Sequence, residues 1–235
     1  MKITCHMIMS VDGRLISKYW SPLYNASSSV TEVYEAADAK LSADGWIVGR
    51  KTMAEYGADV VEEKEPMEGH KTMQTNTFIG KREGRPLAVV FDIQGRLHYK
   101  SPTLPSGEHI VAVLGSHVTR AYQKELEEIG VSYIMRTPGS KLEETQSALK
   151  HLEHDFNVKH MLLEGGAITC GNFLQMGLVD ELSMIVYPGL DGESGHPSVI
   201  ECQGVVEPLK KNRLELIDCE TVGSGYVWLR YNIHR

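Results

Sequence analysis

The chain has 235 residues, a formal net charge of −7 and four cysteines. An acidic balance argues against a nucleic-acid surface, which needs a basic stripe, yet a few local cations suffice to hold an anionic small molecule. The length supports a substantial core and no run approaches the roughly 18 apolar residues of a membrane span, so neither nucleic acid nor membrane is expected as a partner.

In chain order, Ile3 to Met9 reads as a buried strand that ends in Ser10-Val11-Asp12-Gly13-Arg14. A carboxylate there can hydrogen-bond a polar ligand, move a proton if burial raises its pKa, or simply close an Asp-Gly turn. Ser29-x-x-Glu32 is a capping box, and Val30, Val33, Tyr34, Ala37 and Leu41 behind it share one helical face. Trp46 to Val48 form a short strand that Gly49 breaks just before a helix start. Arg50 can fork two donors onto a phosphate and Thr52 can add a hydroxyl, with main-chain N–H groups completing an anion site. The alternative for Arg50 and Lys51 is a solvated basic turn. Neither a Walker A loop nor a Gly-x-Gly-x-x-Gly fingerprint is present.

Residues 57–85 are the least regular part, with Glu62, Glu63, Glu65 and Glu68 followed by Gly80, Gly84 and Pro86; they read as a surface insertion. Strands follow near Leu87–Phe91, Ile110–Leu114 and Val131–Ile134, with a helix around Ala121–Ile129. The first of these strands leads into Asp92-Ile93-Gln94-Gly95-Arg96, where Arg96 suits phosphate geometry. A second capping box, Ser140-x-x-Glu143, opens a helix with Leu142, Leu149 and Leu152 facing inward. His151 and His154 have a spacing a metal can use, but Lys150 and Glu153 mark a solvated face, and no metal site is expected.

Met161 to Leu163 read as another short strand, running into Glu164-Gly165-Gly166-Ala167 and an apolar stretch from Ile168 to Leu178. The two glycines either make a tight turn or let a ligand approach the backbone, and the next helix offers its N–H groups to a phosphate or pyrophosphate. Two phosphate-friendly junctions suggest a ligand with several phosphates, such as a dinucleotide. Beyond them come strands at Leu182–Tyr187, Arg213–Thr221 and Tyr226–Asn232. Alternating strands and helices predict a mostly parallel sheet. The cysteines lack any Cys-x-x-Cys pair and read as free thiols of a reducing compartment, with Cys5 and Cys170 as small core residues. The Pro-Cys-x-x-Cys part of a zinc deaminase signature is absent, which excludes that chemistry.

Three of these segments, Met9 to Ile16, Val48 to Thr52 and Leu163 to Ala167, together with Gly177 to Leu182 and Tyr187 to Gly192, resemble the reductase domain of riboflavin biosynthesis, within the dihydrofolate-reductase-like superfamily. The resemblance runs from about Ile3 to Tyr231. It departs from the family in the helix Val33 to Ala39, which lacks an arginine, and after Thr52, where Met53-Ala54-Glu55-Tyr56-Gly57 stands. It implies a single α/β domain over 1–235 with a dihydrofolate-reductase-like fold: a mostly parallel central sheet, helices on both faces and antiparallel strands at the C-terminal end. It also implies an NADPH-dependent reductase of a small substrate, transferring hydride to an imine- or carbonyl-like carbon as the 5-amino-6-(5-phosphoribosylamino)uracil reductase does. Gly49, Arg50, Lys51 and Thr52 would hold cofactor phosphates, Asp92 and Arg96 would lie near the adenosine phosphate, and Glu164, Gly165, Gly166 and Ala167 would run along the pyrophosphate and nicotinamide ribose. Ser10 and Asp12 would face the substrate, with Asp12 the catalytic candidate. Asp180 and Glu181, a recurring pair, read as structural residues at a strand start. A cytoplasmic homodimer is implied as well, with Tyr226, Val227, Trp228 and Leu229 as candidate contacts. Two other readings stand beside this one: a non-catalytic nucleotide-binding domain of the same fold, and a reductase of pterin or dihydrofolate type.

Overall fold

The computed structural model describes every residue except 26, 58–59, 70–76 and 205–206. Its elements run β1 (Lys2–Ser10), a 3-10 turn (Ser17–Tyr19), α1 (Val30–Leu41), β2 (Gly45–Gly49), α2 (Arg50–Tyr56), β3 (Val60–Glu62) and β4 (Thr77–Phe78). Next come β5 (Leu87–Phe91), β6 (Leu97–Tyr99), β7 (His109–Leu114), α3 (Arg120–Ile129), β8 (Ser132–Met135) and α4 (Lys141–Asp155). The chain closes with β9 (His160–Leu163), α5 (Ala167–Gln175), β10 (Glu181–Tyr187), α6 (Glu207–Lys210), β11 (Arg213–Val222) and β12 (Tyr226–His234). They form two compact units, one of residues 44–159 with Met1, the other of 2–43 with 160–235.

In the unit of residues 44–159, β2, β5, β7 and β8 pair in parallel in that order, and β4 adds antiparallel to β8. Every residue of β7 is buried, as a central parallel strand covered on both faces requires. Its apolar cluster joins Val48, Met53, Val90, Leu97, Tyr122 and Leu126. Among the described residues of the expected irregular insertion, β3 pairs antiparallel with β6, which begins right after Arg96; 58–59 and 70–76 lie outside the described residues. The start of α4 is anchored by its capping box as expected, but its inward face is Thr145, Ala148 and Leu152. Leu142, expected inside, is exposed because it sits in the helix's first turn, before the face that meets the core.

In the other unit, β1 lies between β9 and β10, parallel to both, and β12 and β11 continue antiparallel from β10. The expected antiparallel strands at the C-terminal end are therefore present. Glu181 starts β10 and pairs with Lys2 at 2.7 Å, while Asp180 accepts from the Ile3 N–H at 2.9 Å, the structural roles read for this pair. The Ser29–Glu32 capping box forms, and α1 buries Val33 and Ala37 against Trp20, Ile185, Tyr187, Tyr226 and Trp228. Tyr226 and Trp228 thus serve the core of their own unit, which corrects their reading as subunit contacts; Val227 and Leu229 are half-buried. Cys5 and Cys170 are both fully buried.

Candidate functional site

The turn after β1 is built around one carboxylate. Ser10, buried at the strand's last position, donates from Oγ to Asp12 at 2.6 Å and accepts from the Arg14 N–H at 3.0 Å. Asp12 also accepts from the backbone N–H groups of Asp191 and Gly192 at 3.1 and 2.8 Å. The loop after β10 is thereby tied to the loop after β1, and bonds from Leu15 to Pro197 and from Val199 to Gly13 extend the tie. A proton-transfer role for Asp12 needed burial to raise its pKa. Asp12 is instead exposed, and the Ser10 hydroxyl followed by the two N–H groups holds it well below the usual carboxylate range. It stays a carboxylate at any physiological pH.

Within the same unit, β9 ends beside Cys5 of β1 and gives way to α5. Gly165 takes φ +107°, a backbone region that favours glycine, and an added Cβ would stand 3.2 Å from Cε of Met7 on β1. Gly166 caps α5 without a side-chain bond; Ala167, buried, begins the helix. The Gly165–Gly166 peptide is cis. Glu164, half-buried, carries a charge felt by Tyr34, whose phenol is pushed far up, first by burial and then by that charge. Tyr34 donates to the His6 carbonyl at 2.9 Å and stacks on the His6 ring at 4.3 Å. His6 Nδ1 meets Ser183 Oγ at 2.8 Å, and burial lowers its pKa from 6.5 to about 4.

The junction in residues 44–159 has a different chemistry. Parallel pairing of Gly49 with Phe91 sets the ends of β2 and β5 side by side. Gly49 caps α2 with no side-chain bond, Arg50 and Thr52 lie half-buried in the first turn, and Lys51 is exposed. Arg50 pairs with Glu62, and Arg96 reaches the same carboxylate oxygen at 3.2 Å. Two guanidinium groups, one at the start of α2 and one on the loop before β6, therefore converge on one anion. Arg96 is further fixed by its Nε, which donates to the Glu63 carbonyl at 2.6 Å. Asp92 is fully buried and accepts from the N–H groups of Arg96 and Leu97 at 2.6 and 2.8 Å, so its carboxylate shapes the loop that presents Arg96.

Among the expected site residues, the structure joins Ser10 to Asp12, and Arg50 to Arg96 through Glu62. Sequence reading gave no role to Glu62, which sat in an irregular acidic stretch, nor to Tyr34 beyond its helical face. It also passed over His196, whose Nδ1 lies 2.8 and 2.9 Å from the two oxygens of Asp191. The only available signal was an Asp and a His five apart in a loop otherwise rich in turn-forming residues.

A family model described as the RibD C-terminal domain matches residues 1–228. Among solved structures, a pyrimidine reductase-like protein from Corynebacterium diphtheriae is 19% identical, with 100% of this chain and 92% of that one covered and a TM-score of 0.67. The Saccharomyces cerevisiae riboflavin biosynthesis reductase Rib7 is 15% identical, with 99% and 90% covered and a TM-score of 0.61. Acinetobacter baumannii RibD, form 1, is 20% identical; all of this chain is covered but only 58% of that one, at a TM-score of 0.64. This chain thus spans little more than half the length of that protein. At such identities the likeness shows the fold alone, a mixed α/β architecture.

Proposed function

The chain belongs to the RibD C-terminal domain family, and on that footing we propose that it is an NADPH-dependent reductase similar to the pyrimidine reductase of riboflavin biosynthesis. The observation that carries this reading is the convergence of Arg50 and Arg96 on the Glu62 carboxylate, since paired guanidinium groups that gather one anion suit a phosphate. In this reading Gly49, Arg50, Lys51 and Thr52 bind cofactor phosphates, and Arg96, on the loop that Asp92 shapes, takes the adenosine phosphate. Glu164, Gly165, Gly166 and Ala167 line the pyrophosphate and nicotinamide ribose, where the uncapped start of α5 supplies N–H donors. A bound reduced nicotinamide supplies the hydride. Ser10 and Asp12 orient the substrate, with Asp12 acting as a fixed carboxylate. The protein works in the cytoplasm as a homodimer, for which the exposed Leu214, Leu216 and Ile217 of β11 offer an apolar edge.

The test follows NADPH oxidation with 5-amino-6-(5-phosphoribosylamino)uracil, dihydrofolate and simple carbonyls in parallel. Turnover of the phosphoribosylaminouracil is expected. Turnover confined to dihydrofolate would make it a pterin-type enzyme, and NADPH binding without turnover of any substrate would overturn the catalytic reading.

A further inference from the structure

Reduction of a C=N or C=O group needs a proton as well as a hydride, and Asp12 is held too firmly ionised to give one. The loop tied to Asp12 contains a group suited to that task. His196 directs Nδ1 at both oxygens of Asp191, at 2.8 and 2.9 Å, and the Asp191 side chain has 0% exposure against 18% for His196. A buried carboxylate on Nδ1 fixes the tautomer and ring orientation and leaves Nε2 to exchange protons, the logic of an Asp-His pair in acid–base catalysis.

Neighbouring groups hold this residue in place. The Tyr19 ring lies against it, centroids 4.2 Å apart and tilted by 31°, with the Lys18 ammonium 4.8 Å above the Tyr19 ring. Arg14 grips the His196 carbonyl at 2.7 Å. Nε2 stands 3.7 Å from the exposed Glu193 carboxylate. Asp12 bonds the backbone of Asp191 itself, so the orienting carboxylate and the dyad share one loop.

We infer that His196 is the proton donor of the reductase reaction and that Asp191 is its positioning residue. This rests on the reductase reading above. In the step, the imine carbon gains a C–H bond from the hydride of a reduced nicotinamide, which leaves oxidised. The π pair of C=N moves to nitrogen, which takes the Nε2 proton of the imidazolium; the neutral imidazole is then reprotonated from water. A carbonyl substrate places the same proton on oxygen.

Two measurements test the dyad. In the ligand-free protein, nitrogen NMR of the imidazole is expected to show the neutral ring protonated on Nδ1, and Asp191→Asn is expected to abolish that preference. A ring protonated on Nε2, or one indifferent to Asp191→Asn, overturns the inference whatever the reaction proves to be. With NADPH and 5-amino-6-(5-phosphoribosylamino)uracil, His196→Gln is expected to lower kcat about 10²–10⁴-fold with KM for NADPH and the thermal midpoint unchanged. The alkaline fall of the wild-type kcat should vanish in this variant. Wild-type-like kcat with the same alkaline limb overturns the assignment. A wild-type protein that turns nothing over refutes the reductase reading instead, and the NMR result still decides the dyad.

Discussion

His6 lets a single titration be weighed. It lies in the middle of β1, fully buried, bonded through Nδ1 to Ser183 Oγ, which also accepts from Trp228 Nε1 at 2.7 Å. Burial lowers its pKa from 6.5 to about 4, with the Tyr34 and Ser183 hydrogen bonds opposing. The unfolded chain therefore binds this proton more readily than the folded one, so stability rises with pH across the interval. The contribution is complete above about pH 6.5, is lost as pH falls towards 4, and changes no further below that. At about 1.4 kcal/mol per pH unit, the interval corresponds to about 3 kcal/mol. His6→Asn keeps a polar atom where Nδ1 meets Ser183 but cannot titrate. Urea unfolding followed by tryptophan fluorescence from pH 7 to pH 4.5 should show a shallower loss in the variant, by roughly 2 kcal/mol. His109, also lowered to about 4, chiefly by burial, is present in both proteins and cancels. The stacking lost on Tyr34 lowers the variant by a pH-independent amount, so only the slope is diagnostic. Parallel slopes would refute the reasoning.

Three further outcomes are expected. Arg50→Ala should weaken NADPH binding by about 1.5–3 kcal/mol, the scale of a charge-assisted bond, and Glu62→Gln should strengthen it roughly tenfold by removing a like charge; fluorescence titration of the cofactor reads both, and an unchanged Arg50→Ala protein would take Arg50 out of the site. Asp12→Asn should cut turnover roughly 10²-fold through misplaced substrate while NADPH affinity holds; full activity with a lower thermal midpoint would reduce Asp12 to a loop tie. Light scattering should give twice the chain mass at micromolar concentration, and Leu216→Glu should return it to the monomer; a monomeric wild type would end the dimer proposal.

What could be read in advance follows from how local each signal is. The run Leu87–Phe91 announced β5 with its observed limits because buried parallel strands are continuously apolar. Both capping boxes formed because the bonds span only three residues. The strands β3, β4 and β6 escaped notice since two or three residues carry no periodicity; their partners, distant in sequence, make them strands. The site divides in the same way. Ser10 to Asp12 is a local turn, but the donors from Asp191 and Gly192 arrive from 179 and 180 residues away. Burial of Asp92 and the meeting of Arg50 with Glu62 likewise depend on folded neighbours that no spacing rule reports.

The clasp of Glu62 by Arg50 and Arg96 means that this cation pair carries its own counter-ion. An incoming phosphate would meet an occupied site and complete an exchange, with Glu62 released to water as the ligand's charge takes its place. Such an exchange changes the local charge less than filling an open basic pocket does. Added salt, whose screening length is about 8–10 Å at ordinary ionic strength, would then weaken the initial and final pairings alike. Cofactor affinity should consequently depend on ionic strength less steeply than the count of arginines suggests, and removing Glu62 should restore the steeper dependence.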